Sequence, residues 1–259
     1  MPTASRLAAP LLALTLLGGC ISQQANPSWG IRAPDAADIG SAAASAARSP
    51  ATWLPLAAAA LLSIGDLDED LSDWGADQAP LFGADAESDS DDLRRVAQGA
   101  WLITALAAPS RTLTDKAGGL AVGAGALLLE RAVTDGIKEL ADRRRPDGSN
   151  ERSFTSGHAG AASAAATLAR ANLDYLGLPG WLDGTLRVGL HGVALGSGWA
   201  RVEARRHYVT DVLCGYAVGH FLAAFVQQSF MGSGPPGAVQ VRYRPLPEGG
   251  AVTLVVSIR

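Results

Sequence analysis

Between Ala159 and Ala171, eight of thirteen residues are alanine, and this run constrains the fold more than any other feature of the chain. Alanine is the strongest helix former and loses no side-chain freedom in a helix, so the run predicts a helix. The whole sequence is rich in Ala, Leu and Gly, with only 6% aromatic residues, which suits tightly packed helices. The expected fold is therefore all-α, a bundle of about six helices. They are placed at about 52–65, 91–108, 115–142, 157–176, 184–202 and 208–230. The tail has a different period. Val239-Gln240-Val241-Arg242-Tyr243 alternates, turns through Pro245–Gly250 and returns as Val252–Ile258, so residues 238–259 are expected to form a β-hairpin. Such a hairpin needs support from the bundle or a partner.

Three short blocks carry the candidate chemistry. In the first, Lys138 and Arg145 are seven residues apart, close to two helical turns, so both side chains can project the same way. Pro146 discourages further helix. Arginine gives a phosphate planar bidentate contacts and lysine gives it a compact point charge. Alone, the block reads more readily as a cationic helix end, with Arg143, Arg144 and Arg145 solvated. In the second, Thr155-Ser156-Gly157-His158 opens the alanine run. Helix starts offer unpaired N–H groups and a positive dipole end to an anion, glycine permits close approach, and His158 falls in the first turn. An ordinary serine-capped helix is the plain alternative. In the third, His207 and Asp211 are four apart, which puts them on one helical face. There the carboxylate can orient the imidazole and leave its other nitrogen as an aimed nucleophile. Arg201 lies six residues earlier. A structural ion pair is the plain alternative here.

Together, Lys-x6-Arg-Pro, Ser-Gly-His and Arg-x5-His-x3-Asp resemble the signature of the type 2 phosphatidic acid phosphatase superfamily, which also includes bacterial acid phosphatases and vanadium haloperoxidases. The motifs span Lys138 to Asp211, and the surrounding helices extend the likeness over about 50–230. The resemblance implies a metal-independent, cofactor-free phosphatase working through a phosphohistidine. It makes His207 the nucleophile, Asp211 its orienting partner and His158 the proton donor to the leaving oxygen. It gives Lys138, Arg145, Arg201, Ser156 and the Gly157 N–H to the phosphate oxygens. With both histidines near their ordinary values, a bell-shaped optimum at mildly acidic to neutral pH is expected. Thr155, Ala200 and Val209 depart from the usual pattern, in place of a proline, a serine and a proline; none removes a catalytic group. A vanadate-dependent haloperoxidase and a non-catalytic envelope lipoprotein on the same scaffold are the alternatives. His191 and His220 are left out of the site, His220 because nine residues from Asp211 is half a rotation away.

The front of the chain suggests where the reaction takes place. Arg6 followed by the apolar Leu7–Leu17 reads as a signal peptide over 1–19, and Leu17-Gly18-Gly19-Cys20 resembles a bacterial lipobox. Cys20 would then be lipidated, tethering the protein to the membrane. Ile21 in place of Asp points to an outer-membrane, periplasm-facing lipoprotein. Residues 20–50 read as the lipidated cysteine and a flexible Ala/Ser/Pro-rich tether, and 51–232 as the helical domain. With Cys20 modified, Cys214 has no disulfide partner.

The net charge of −4 gives no footprint for nucleic acid. The expected partners are a phosphorylated, lipid-linked substrate and the membrane, with the oligomeric state open. The longest uncharged apolar runs, such as Val96–Ser110 and Val212–Val226, fall short of the roughly 20 residues a span needs, so a tethered bundle is expected in preference to a polytopic one. Asp66–Asp92 holds eleven carboxylates and no Lys or Arg. Asp66, Asp68 and Asp70 mimic the start of a calcium loop, but Leu71 stands where that loop requires glycine. The segment reads as a solvated loop or a short helix over the site entrance, with no metal site.

Overall fold

The computed structural model describes residues 29–231, 239–246 and 249–256. The expected signal segment 1–19 and Cys20 lie outside the described residues. Eight α-helices follow in order: α1 (Ala36–Arg48), α2 (Pro50–Leu62), α3 (Leu67–Gln78), α4 (Ala86–Ala107), α5 (Leu113–Ala141), α6 (Gly157–Leu173), α7 (Gly180–Glu203) and α8 (Val209–Met231). Beyond them, β1 (Val239–Leu246) and β2 (Gly249–Val256) pair antiparallel, Val239 opposite Val256.

The alanine run becomes α6, the buried centre of the bundle, packed against α4, α5, α7 and α8. Ala159, Ala162, Ala164, Ala165 and Ala169 are fully buried. Close packing requires small residues on the neighbour too. A Cβ on Gly215 of α8 would meet the Ser156 backbone, and one on Gly219 would meet the carbonyl of Gly160. This backbone-to-backbone approach joins the start of α6 to the first turns of α8.

Eight helices replace the expected six because two segments were misread. Residues 29–50 were expected within a flexible tether, yet they pack on the bundle. Trp29 is 1% exposed, its indole N–H donates to Asn172 Oδ1 at 2.9 Å, and the Lys116 ammonium lies 4.5 Å above its ring. Asp35 and Asp38 form a capping box at the start of α1, and Ala42 and Ala46 are buried where α1 meets α8. Alanine provides this packing without a recognisable apolar stripe. The acidic segment is likewise neither wholly loop nor wholly solvated. It forms α3, a short 3-10 turn at Gly83–Asp85 and the start of α4, and Asp68, Ser72 and Ser90 are buried.

The expectation that the apolar runs are too short to span is overturned for Val212–Val226, though not for Val96–Ser110, whose helical part belongs to α4. Among the described residues, α5 and α8 are long and apolar enough to cross a membrane, and the bent pair α2 and α3 together would make a third. The run Val212–Val226 continues at both ends into a 23-residue helix. Large apolar side chains also face outward, including Trp53 and Leu61 on α2, Ile103 on α4, Leu128 on α5, and Trp181 and Val188 on α7.

Candidate active site

α5 ends at Ala141 because Asp142 takes a left-handed backbone, φ 46°. Lys138 therefore occupies the last turn of α5 and Arg145 the loop beyond it, rather than one continuous helix end. Lys138 Nζ donates to the Thr155 carbonyl and lies 3.8 Å from where a Gly157 side chain would begin, so the first block reaches the second directly. Arg145 is held in a turn by its own N–H to Asn150 O at 2.9 Å and by Gly148 N–H to its carbonyl at 2.9 Å.

Ser156 occupies the cap position of α6, but its side chain makes no capping bond. Its Oγ is buried and has no partner, and so is available to a ligand. The free N–H groups of the first turn of α6 lie beside it. Ser156 N donates to the Asp211 carbonyl at 2.9 Å, which ties the second block to the third.

His207 and Asp211 do not share a helical face as the spacing predicted. α8 begins at Val209, so His207 precedes it and Asp211 lies in its first turn. His207 Nδ1 stands 3.7 Å from Asp211 Oδ2, an ion-pair distance longer than a hydrogen bond. The turn that delivers His207 follows Arg205, whose φ of 53° is left-handed; both Arg206 N and His207 N donate to the Arg201 carbonyl. Arg201 itself closes the last turn of α7 with its side chain 6% exposed.

Asp211 is held chiefly by groups outside the motifs. Its Oδ1 accepts from Arg143 Nη1 at 2.8 Å, and its Oδ2 from Ser153 Oγ at 2.5 Å and Tyr208 N at 2.9 Å. Arg143 is thus not simply solvated: its guanidinium also packs 4.1 Å above the Tyr208 ring and bonds Asp68 on α3. His158 has a partner too, its Nε2 lying 2.9 Å from Asp91 Oδ1 on α4. Glu87, one turn before Asp91, stands 3.8 Å from Arg201 and 3.0 Å from Arg206. Neither Asp68, Glu87 nor Asp91 has a distinguishing pattern within the acidic segment, and Arg143 is one of three consecutive arginines.

Burial, opposed by Asp211 and reinforced by the Lys138 and Arg145 charges, pushes His207 down to about 4. Burial and then the Arg201 charge push His158 down to about 4 against the pull of Asp91. Asp91, bonded first by His158 and then by Arg94, is lowered to about 2. Both histidines are therefore neutral at pH 7, lower than the ordinary values implied. His191 and His220 lie elsewhere: His191 Nδ1 meets Tyr216 Oη at 2.5 Å, and His220 bridges Ser49 and Thr167 at 2.8 Å each.

Arg145 Nε, Thr155 Oγ1, Ser156 Oγ, Arg201 Nε and His207 Nδ1 are buried without a hydrogen-bond partner. Buried polar atoms are rarely left so; His207 Nδ1 faces Asp211, while Arg145, Arg201 and the Ser156 hydroxyl offer the positive charge and donors that suit a tetrahedral oxyanion. Beside His158, a cavity of about 300 Å³ opens between α4, α5 and α6, lined by Arg94, Gln98, Glu130, Arg131, Thr134 and Asp135 among others.

Residues 119–234 match the model of the PAP2 superfamily. The chain is 42% identical over 77 residues to a protein of Porphyromonas gingivalis named lipid A 1-phosphatase, covering 30% of this chain and 16% of that protein. The chain thus matches well under two thirds of that relative's length. Among solved structures it resembles the first transmembrane PAP2 type phosphatidylglycerolphosphate phosphatase from Bacillus subtilis, with a TM-score of 0.51 and 21% identity, over 68% of this chain and 92% of that one. The latter is a likeness of fold.

Proposed function

This chain belongs to the PAP2 superfamily, and we propose that it is a membrane-associated phosphatase that hydrolyses a lipid-linked phosphomonoester or diphosphate through a phosphohistidine. The observation that carries the proposal is the set of buried, unpartnered polar atoms around His207. Arg145, Arg201 and Ser156 together with Lys138 and the Gly157 N–H surround a phosphoryl group, and phosphoryl transfer requires mainly positioning and charge stabilisation. The free His207 ring nitrogen attacks phosphorus while the other faces Asp211. The bond to the leaving oxygen breaks as His158 delivers its proton there. His158 then takes a proton from water, which attacks the phosphohistidine and releases phosphate.

His158 at pH 7 needs a proton that its surroundings discourage. A phosphate monoanion can bring that proton with it, its second pKa being about 6, and its negative charge offsets the Arg201 charge that holds His158 down. The cavity beside His158 receives the leaving group, and its polar lining suits a hydroxylated or charged headgroup. The outward apolar residues and the span-length helices support a substrate presented by a bilayer. The named activity of the Porphyromonas gingivalis relative supports a lipid-linked phosphate in the same way. We place the protein in the bacterial envelope facing the periplasm, with Cys20 as a lipid anchor to the outer membrane.

The test is phosphate release by the full chain in detergent with EDTA present, wild type against His207→Ala, across phosphatidate, a lipid diphosphate and an aryl phosphate. Turnover that survives EDTA and disappears in the variant is expected. Turnover retained by His207→Ala refutes the nucleophile assignment.

A further inference from the structure

Asp68 and Arg143 are not motif residues, yet they join Asp211 in one hydrogen-bonded charge network. Arg143 gives one arm to Asp211 Oδ1 at 2.8 Å and the other to Asp68 Oδ2 at 2.8 Å. Asp68 is 5% exposed and Asp211 fully buried. Thr210 closes the ring. Its N–H donates to Asp68 Oδ1 at 2.9 Å and its hydroxyl to Asp68 Oδ2 at 2.6 Å, while that hydroxyl accepts from Arg143 Nη1 at 2.8 Å. The acidic helix α3 is thereby connected, through one guanidinium, to the carboxylate beside His207.

We propose that Asp68 and Arg143 are positioning residues of the phosphoryl-transfer reaction, acting through Asp211 to set the charge and orientation that His207 experiences. The proposal rests on the reading of His207 as the nucleophile. Its basis is a charge count. Arg143 and Asp211 alone would form a neutral pair with little attraction left for an imidazole. Asp68 takes a share of the same guanidinium, so the trio carries one net negative charge. That charge faces His207, which acquires positive charge as its nitrogen bonds to phosphorus. The other charged groups acting on His207 are cations, Lys138 from α5 and Arg145 from the loop after it, and both oppose that positive charge. Asp68 therefore restores what the phosphate clamp takes away. A salt bridge serving only to pin α3 to the bundle would require a charged contact but would not affect the titration of His207.

The two residues predict shifts of opposite sign. Asp68→Asn keeps the size of the side chain and an acceptor for Thr210 N–H, but removes the negative charge. With less negative potential at Asp211, His207 loses its proton more readily. The acid limb of kcat/KM against pH should then move down by about half a pH unit or more, and kcat should fall roughly tenfold with KM little changed. Arg143→Gln removes a positive charge, so the acid limb should move up. Both are assayed as full-length chains in detergent on a short-chain phosphatidate, with thermal unfolding recorded alongside. His207→Ala on the same substrate separates the two ideas. If that variant is dead and either Asp68→Asn or Arg143→Gln moves the acid limb in its stated direction, the proposal stands. If His207→Ala is dead while every variant that folds keeps the wild-type limb, the network is merely structural and the proposal fails. If neither variant folds, the trio is a folding clasp and the positioning role is rejected. If His207→Ala turns over normally, the nucleophile assignment and this proposal fall together.

Discussion

Gly219→Ala tests whether the backbone-to-backbone contact of α6 and α8 holds the catalytic groups in place. A Cβ at residue 219 would lie 2.8 Å from the Gly160 carbonyl carbon and 2.9 Å from its Cα, with the carbonyl oxygen closer still. Carbon atoms prefer about 3.5–4.0 Å, so the helices must separate by roughly 1 Å. No flexible side chain stands between them to absorb the strain. Overpacking of this kind costs about 1–3 kcal/mol, or roughly 3–10 °C in unfolding temperature for a domain of this size. The larger effect is on rate. α6 carries Ser156, Gly157 and His158 at its start, and α8 carries Asp211 in its first turn, so separating them changes the distances between the proposed phosphate site, proton donor and nucleophile. A displacement near 1 Å can cost about 100-fold in turnover. Gly125→Ala on α5 is the control, because nothing lies within 4 Å of its Cβ position; it should stabilise by about 0.5–1 kcal/mol and leave turnover unchanged. The assay is thermal unfolding in detergent with phosphate release on the same preparations. Equal stability and kcat in the two variants would refute the argument.

The acid limb of kcat/KM should fall near pH 4, where protonation of His207 blocks its lone pair; the alkaline limb should fall near pH 6, where a substrate phosphate loses its second proton at about that value. An acid limb near 6.5 would show that burial does not govern His207. Lys138→Met keeps the stem and removes the charge, and should lower kcat/KM by about 100-fold or more with the fold intact; a loss under threefold would remove Lys138 from the clamp. Trp29→Ala should destabilise by about 3–5 kcal/mol, because it empties a buried site and leaves Asn172 without its indole donor. Unfolding midpoints that match wild type would show that residues 29–48 contribute nothing to the bundle.

The residues proposed for the clamp were legible as candidates because their spacings are chemical constraints: a lysine two turns before an arginine, a helix start beside a histidine, a carboxylate near a second histidine. The supporting shell was not. Arg143 looks no different from Arg144 in a run of three, and Asp68 is one acid among eleven. What distinguishes them is a contact between residues 75 positions apart, which no local pattern encodes. α1 was missed for a different reason. Its buried residues are alanines, which form no apolar stripe, so the segment reads as a tether. The geometry of His207 and Asp211 was misjudged because the four-residue spacing takes on helical meaning only inside a helix, and α8 starts between them. The helix expected at 208–230 matches α8 closely, but its capacity to span was underestimated because Thr210, Asp211, Gln227 and Gln228 at its ends interrupt the apolar run without interrupting the helix.

The composition of α6 has a consequence for how the site is kept still. Immobilising a long side chain on folding costs up to about 2 kcal/mol of rotamer freedom, and alanine loses none. A central helix of methyl groups therefore enters the core without rotamers to freeze and without alternative rotamers to visit afterwards. Its position is set by close backbone contact with α8 and by the few polar side chains that tie it to its neighbours, Thr167 to His220 and Asn172 to Trp29. The same economy makes the helix intolerant. Each buried alanine is already at its size limit, so added methylenes would act as wedges between the elements that carry the chemistry. Substitutions deep in α6, remote from any phosphate, should therefore register first as altered turnover and only second as lost stability.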